Sequence, residues 1–156
     1  MSRVLEGEAA TIALAQALAP ALAPGAVITL AGDLGTGKTV FARALIRHAA
    51  GAPDLEVPSP TFTLVQVYDT PDMVIWHFDL YRLSDPEEVV ELDWDEALAG
   101  VVLVEWPDRL GDRLPADRLA VTLGHDAGGP EADPEHRRIT LEATGPTSRR
   151  LLAAIA

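Results

Sequence analysis

The sequence predicts an α/β fold: one domain spanning residues 1–156, built as a three-layer mixed sheet with an antiparallel hairpin and helices on both faces. Three observations predict it. The first is an uncharged, β-branched run, Ala26-Val-Ile-Thr-Leu-Ala31, followed by a glycine-rich loop and an amphipathic stretch from Thr39 to Ala50. That is the strand–loop–helix order of a parallel sheet. The second is a wholly apolar run from Val101 that ends in Glu105 and Trp106, the pattern of a strand buried on both faces. The third is a pair of β-rich runs, Thr61 to Tyr68 and Met73 to Asp79, around Asp69-Thr70-Pro71-Asp72. These read as a hairpin.

The elements follow in chain order. Glu8 to Ala19 reads as a helix. The stretch from Ala9 to Gly32 carries no charge, but Pro20, Pro24, Gly25 and Gln16 interrupt it, so it is a helix, a turn and a strand rather than a membrane span. Glu6 and Glu8, with only Arg3 before them, are the wrong polarity for a secretory leader. The chain is expected in the cytoplasm, with no membrane contact. In the helix from Thr39, Phe41, Leu45 and Ala49 share one stripe and Gly51 is the stop. Pro53 to Pro60 is a proline-rich loop. Ser84-Asp85-Pro86-Glu87 reads as a helix start with Ser84 as cap. Leu119 to Leu123 and Arg138 to Ala143 read as late strands, His125 to His136 between them as a polar loop, and Thr147 to Ala156 as a short helix. No internal repeat is visible.

Of the twelve lysine and arginine residues, only Lys38 is a lysine. It sits in Gly32-Asp33-Leu34-Gly35-Thr36-Gly37-Lys38-Thr39, which satisfies G-x-x-x-x-G-K-[ST]. A compact ammonium reaches between β- and γ-phosphates where a planar guanidinium is too wide. The glycines let backbone N–H groups turn towards phosphate oxygens, and the following helix adds the positive end of its dipole. Thr39 is positioned to offer its hydroxyl to Mg²⁺. The fold is therefore expected to be a phosphate-loop NTPase binding a nucleoside triphosphate.

A net charge of −12 argues against this chain gripping nucleic acid by itself. Cysteine is absent, which excludes disulfides, thiolate metal sites and a cysteine nucleophile. His48, His77, His125 and His136 lack metal-ligand spacing, and most of them read as surface or capping residues.

A phosphate-loop enzyme needs a carboxylate at a strand end on the metal side. Glu105 fits better than Asp79, because its strand is a continuous apolar run suited to lie beside the phosphate-loop strand. Asp79 then orients the attacking water or assists the metal; alternatively it caps a helix or pairs with Arg82. Trp106 either borders the nucleotide or closes the core. Asp108-Arg-Leu-Gly111 matches D-x-x-G of GTPase switches, but a turn explains it as well. The chain has no asparagine, and its one lysine is already used. A guanine-reading N-K-x-D or T-K-x-D element is therefore missing, and ATP is the expected nucleotide.

Four segments together resemble the TsaE (YjeE) family. They are the Gly32–Thr39 loop, Ser59-Pro-Thr-Phe-Thr-Leu64, His77-Phe-Asp-Leu-Tyr-Arg-Leu83 and Val104-Glu-Trp-Pro107. The resemblance spans roughly Glu8 to Pro107. It implies a small ATPase that acts with two protein partners, TsaD and TsaB, in making threonylcarbamoyladenosine beside the anticodon of tRNAs reading ANN codons. It implies weak activity alone and activation in the complex, with tRNA met only through the partners. Lys38 and Thr39 match the phosphate and Mg²⁺ residues, and Glu105 the Mg²⁺-side carboxylate. Thr61 falls in a switch-like segment that senses the γ-phosphate. Asp79, Tyr81 and Arg82 fall in an H-x-D-x-Y-R element near the active site or partner surface, and Arg82 or a partner residue is the expected transition-state cation. The segment from Glu8 to Thr11 and an arginine near Arg137 are implied to flank the adenine. One departure stands out: Leu92-Asp-Trp-Asp-Glu96 lacks the glycine expected soon after the leucine.

Two other classes share the phosphate loop. A small-molecule kinase would close an arginine-rich lid, for which Arg109, Arg113 and Arg118 are candidates. Their alternation with Asp108, Asp112 and Asp117 reads better as solvated ion pairs. A nucleotide-operated latch would bind ATP without turning it over.

Overall fold

The computed structural model describes residues 1–126 and 133–156. Seven strands form one sheet: β1 (Ser2–Glu6), β2 (Val27–Ala31), β3 (Val65–Asp69), β4 (Val74–Asp79), β5 (Val101–Glu105), β6 (Leu119–His125) and β7 (His136–Ala143). Their order is β1-β7-β6-β2-β5-β4-β3. The centre, β6-β2-β5-β4, is parallel. The edges, β7 with β1 and β3 on the other side, are antiparallel. Four α-helices accompany them: α1 (Glu8–Leu18), α2 (Lys38–Ala50), α3 (Trp94–Ala97) and α4 (Pro146–Ala153).

Alternation along the strands divides the core in two. Ile28, Leu30, Leu103 and Val121 pack under α1 and α2, with Phe41 and Leu45 from the predicted stripe of α2. On the other face Trp76, Phe78, Val102 and Val104 pack against Val89, Trp94 and Leu110, which come from α3 and from 3-10 segments at Pro86–Leu92 and Pro107–Arg113. Phe78 and Trp94 meet edge to face at 5.1 Å. The second layer covers β4, β5 and part of β2. Beyond it, the outward residues Thr122, Arg138, Thr140 and Glu142 of β6 and β7 are exposed.

Several expectations shift. β1 has no strong sequence signal and pairs along its whole length with β7. The first hairpin strand begins only at Val65, because Leu64 takes φ 69° and its N–H bonds to Pro60 O at 2.7 Å, closing a turn over 60–64. The cap near 84 is Asp85, not Ser84: its carboxylate accepts from Glu87 N at 3.0 Å, and Glu88 Oε1 accepts from Asp85 N at 3.1 Å. Asp93 stands in the left-handed region at φ 59° and separates the 3-10 segment from α3. It is the residue after Leu92, where the resemblance led one to expect glycine. Residues 125 and 136 are strand ends, and the middle of the expected polar loop lies outside the described residues. No helix among the described residues is long and apolar enough to cross a membrane.

Candidate functional site

The strand order changes direction at β2, with β5 on one side and β6 on the other. In open α/β sheets the crevice at such a point, beyond the carboxyl ends of the strands, is where ligands sit. Here register brings three chemical groups to that end. Leu30, just before the glycine loop, lies opposite Glu105, and Glu105 lies opposite Asp79. A cleft of about 300 Å³ opens there, lined by residues 34–40, Ser59, Thr61, Asp79, Glu105, Trp106, Thr11, Glu8, Glu135 and Arg137.

The loop has the geometry its glycines permit. Gly32 has φ 141°, and a Cβ there would lie 2.1 Å from Leu123 O, so only glycine fits between β2 and β6. Gly35 and Gly37 also have positive φ. Gly37 begins α2 without a side-chain cap, and no acidic residue lies in the first turn. The first N–H groups of that helix therefore have no capping side chain to answer them, the arrangement that favours an anion.

Lys38 is almost fully buried. Its Nζ donates to Gly32 O at 2.6 Å and Asp33 O at 2.8 Å, and it lies 4.4 Å from the Trp106 ring centroid. Burial pushes the ammonium below its usual range, against the charges of Glu105, Asp79 and Asp33, which hold it up. Thr39 Oγ1 donates to Glu105 Oε1 at 2.9 Å. Glu105 is buried, and its other oxygen is 2.7 Å from His77 Nε2. Asp79 accepts from Thr61 Oγ1 at 3.1 Å and from Tyr81 N at 3.1 Å. It neither caps a helix nor pairs with Arg82.

Gly32 and Asp33 contribute carbonyls to Lys38, while Leu34, Gly35, Thr36 and Gly37 line the cleft. Arg137 crosses from β7 to the loop, donating to Gly35 O at 3.4 Å and to Pro134 O and His136 O. Thr11 is buried at the same end. Trp106 borders the cleft, and its ring packs against the second core. Its φ of 60° is a left-handed conformation unusual for a bulky residue.

Tyr81 and Arg82 are not brought into the cleft. Tyr81 packs against Trp106 with the rings tilted by 50° and their centroids 4.8 Å apart, and Arg82 lies over the exposed Phe62 at 4.6 Å. Among the described residues lining the cleft, the cations are Lys38 and Arg137. The lid-like arginines also lie elsewhere. Arg109 pairs with Asp108, whereas Arg113 pairs with Glu87 rather than Asp112. Arg118 donates to Pro115 O, while Asp117 receives the N–H groups of Thr147 and Ser148. Asp108–Gly111 lies in the 3-10 segment outside the cleft.

The residue that sequence reasoning missed is His77. It was grouped with surface histidines but is fully buried against Glu105. Its signal was alternation: His77 stands two residues before Asp79 on one strand face, beside the strand that ends in Glu105.

The family model for threonylcarbamoyl adenosine biosynthesis protein TsaE matches residues 5–133. A tRNA threonylcarbamoyladenosine biosynthesis protein TsaE of Rickettsia felis is 43% identical over 121 residues, 77% of this chain and 70% of that protein. The protein of that name in Bacillus subtilis is 36% identical over 135 residues, 86% of this chain and 80% of its own. The crystal structure of Bacillus subtilis YdiB superposes with a TM-score of 0.78 at 30% identity, covering 99% of this chain and 93% of YdiB.

Proposed function

The chain belongs to the TsaE family of threonylcarbamoyladenosine biosynthesis proteins, and from that premise we propose that it is a Mg²⁺-dependent ATPase working with TsaD and TsaB. The observation that carries the reading is the convergence of Lys38, Thr39 and Glu105 at the uncapped start of α2. An all-oxygen pair, one hydroxyl and one carboxylate held 2.9 Å apart, suits a hard cation that keeps waters and phosphate oxygens for its other positions. Among the described residues no group of three or more His, Asp or Glu could hold a metal by itself, which fits an ion that arrives with the nucleotide.

Residues 34–37 and the first turn of α2 bind the phosphates through backbone N–H groups. Lys38 exchanges the carbonyls of Gly32 and Asp33 for phosphate oxygens and offsets the charge that develops on them. Thr39 and Glu105 would hold Mg²⁺, which supplies further charge neutralisation when bound. Asp79 orients the attacking water and takes up its proton. Thr61, bonded to Asp79, ties the Ser59–Thr63 segment to that carboxylate. Thr11 and Arg137 flank the adenine end.

Partner activation has its own support. Arg82 lies over Phe62 and is not among the residues lining the cleft, and Arg137 is tied to three backbone carbonyls. These positions favour a transition-state cation supplied by a partner subunit over Arg82, and such a cation is worth orders of magnitude in rate. The charge of −12 agrees with tRNA being held by the partners and not by this chain. The positions of Arg109, Arg113 and Arg118 lend no support to a kinase lid. Product analysis of an ATP-Mg²⁺ incubation with the partners tests the assignment. Free phosphate is expected; a phosphorylated acceptor would mean a kinase, and no product a latch.

A further inference from the structure

His77 is fully buried, on the face of β4 that looks towards α2. Among the described residues it has one polar contact, Nε2 to Glu105 Oε2 at 2.7 Å, and its Nδ1 has no partner. A buried N–H without an acceptor costs more than a buried lone pair without a donor. The ring proton therefore belongs on Nε2, and the ring donates to Glu105. Glu105 is thus held from both sides, Oε1 by Thr39 and Oε2 by His77.

We infer that His77 is the positioning residue of the metal-side carboxylate, fixing the Glu105 side chain so that only the oxygen on the Thr39 side is free to exchange its hydrogen bond for an ion or its water. The inference rests on Thr39 and Glu105 being the Mg²⁺ pair. A glutamate at a strand end has three side-chain torsions, and the Lys38 ammonium, which feels its charge, is directed at the loop carbonyls. Without His77, Oε2 is left buried and unpaired, and the carboxylate turns to find another donor. Partners of this kind, one bond removed from the ion, typically govern metal affinity by about 10- to 100-fold.

Two variants separate positioning from packing. His77→Phe keeps the ring volume and removes the donor. His77→Gln brings an amide N–H to the place of Nε2. Binding of a fluorescent ADP analogue is titrated with EDTA and with Mg²⁺, alongside thermal unfolding of the nucleotide-free proteins. All forms should bind alike in EDTA. The tightening produced by Mg²⁺ should fall about 10- to 100-fold in His77→Phe and recover to within a few-fold in His77→Gln. In a Glu105→Gln background, His77→Phe should cost nothing further. Histidine ¹⁵N spectra of the nucleotide-free protein should report His77 protonated on Nε2. Wild-type Mg²⁺ dependence in His77→Phe, a further loss in the Glu105→Gln background, or a proton on Nδ1 would each overturn the inference. A wild-type protein whose nucleotide binding ignores Mg²⁺ would instead overturn the metal-site reading beneath it.

Discussion

Lys38 shows how one residue type can be required by geometry. Its Nζ reaches two carbonyls of its own loop and lies over Trp106 in a site with almost no exposure. Lys38→Ala removes the buried ammonium that reaches Gly32 O and Asp33 O, and phosphate release should fall by on the order of 100-fold or more, with little change in unfolding temperature. A steady-state phosphate assay beside a thermal melt checks this; full activity in Lys38→Ala would remove the active-site assignment. Much of the site was legible at this scale, because Lys38, Thr39 and Glu105 are marked by motif and by an apolar run. What was not legible is direction. The same strand signal that placed Asp79 at the sheet end could not say that Tyr81 and Arg82, just beyond it, pack on Trp106 and Phe62 rather than lining the cleft. His77 was missed for the same reason, since its role depends on a neighbouring strand.

Elements end where single residues force them to. Asp93 holds φ 59° between a 3-10 segment and α3, a conformation that costs an L-residue about 1 kcal/mol and glycine far less. Asp93→Gly should therefore leave the urea midpoint unchanged or raise it, whereas Asp93→Ala should destabilise by roughly 1 kcal/mol. Asp117 secures α4 from a distance, accepting from Thr147 N at 2.8 Å and Ser148 N at 3.0 Å. Burial pushes its carboxyl up, but hydrogen bonds from Ser148 and Thr147 prevail and hold it at about 2. An unfolded aspartate titrates near 3.9. The folded value is the lower one, so this contribution to stability is complete above about pH 4 and is lost as pH falls towards 2. Urea midpoints measured across that window should decline in the wild type, and Asp117→Asn should flatten that part of the decline. A helix here was predicted from Thr147 onward, but its cap was not, because the capping residue lies thirty positions away in sequence and had been read as an ion-pair partner of Arg118.

At the scale of the whole molecule, the sequence announced a mixed sheet with an antiparallel hairpin on a phosphate-loop core, and the sheet is mixed, with a parallel centre. Apolar runs identify β2 and β5 as central because only strands covered on both faces can dispense with polar residues. The antiparallel margin was harder to read: Ser2–Glu6 becomes a strand only because β7 is there to pair with it. Membership of the TsaE family gives the molecule its place in threonylcarbamoyladenosine biosynthesis. The cleft, with Lys38 and a tethered Arg137 as its described cations, supports the proposal that hydrolysis depends on a partner subunit. The most direct test is phosphate release from ATP-Mg²⁺ by this protein alone and then with TsaD and TsaB from the same organism. A slow rate alone that rises strongly with both partners, and vanishes in Lys38→Ala, is the predicted result. A rate that the partners leave unchanged would contradict it.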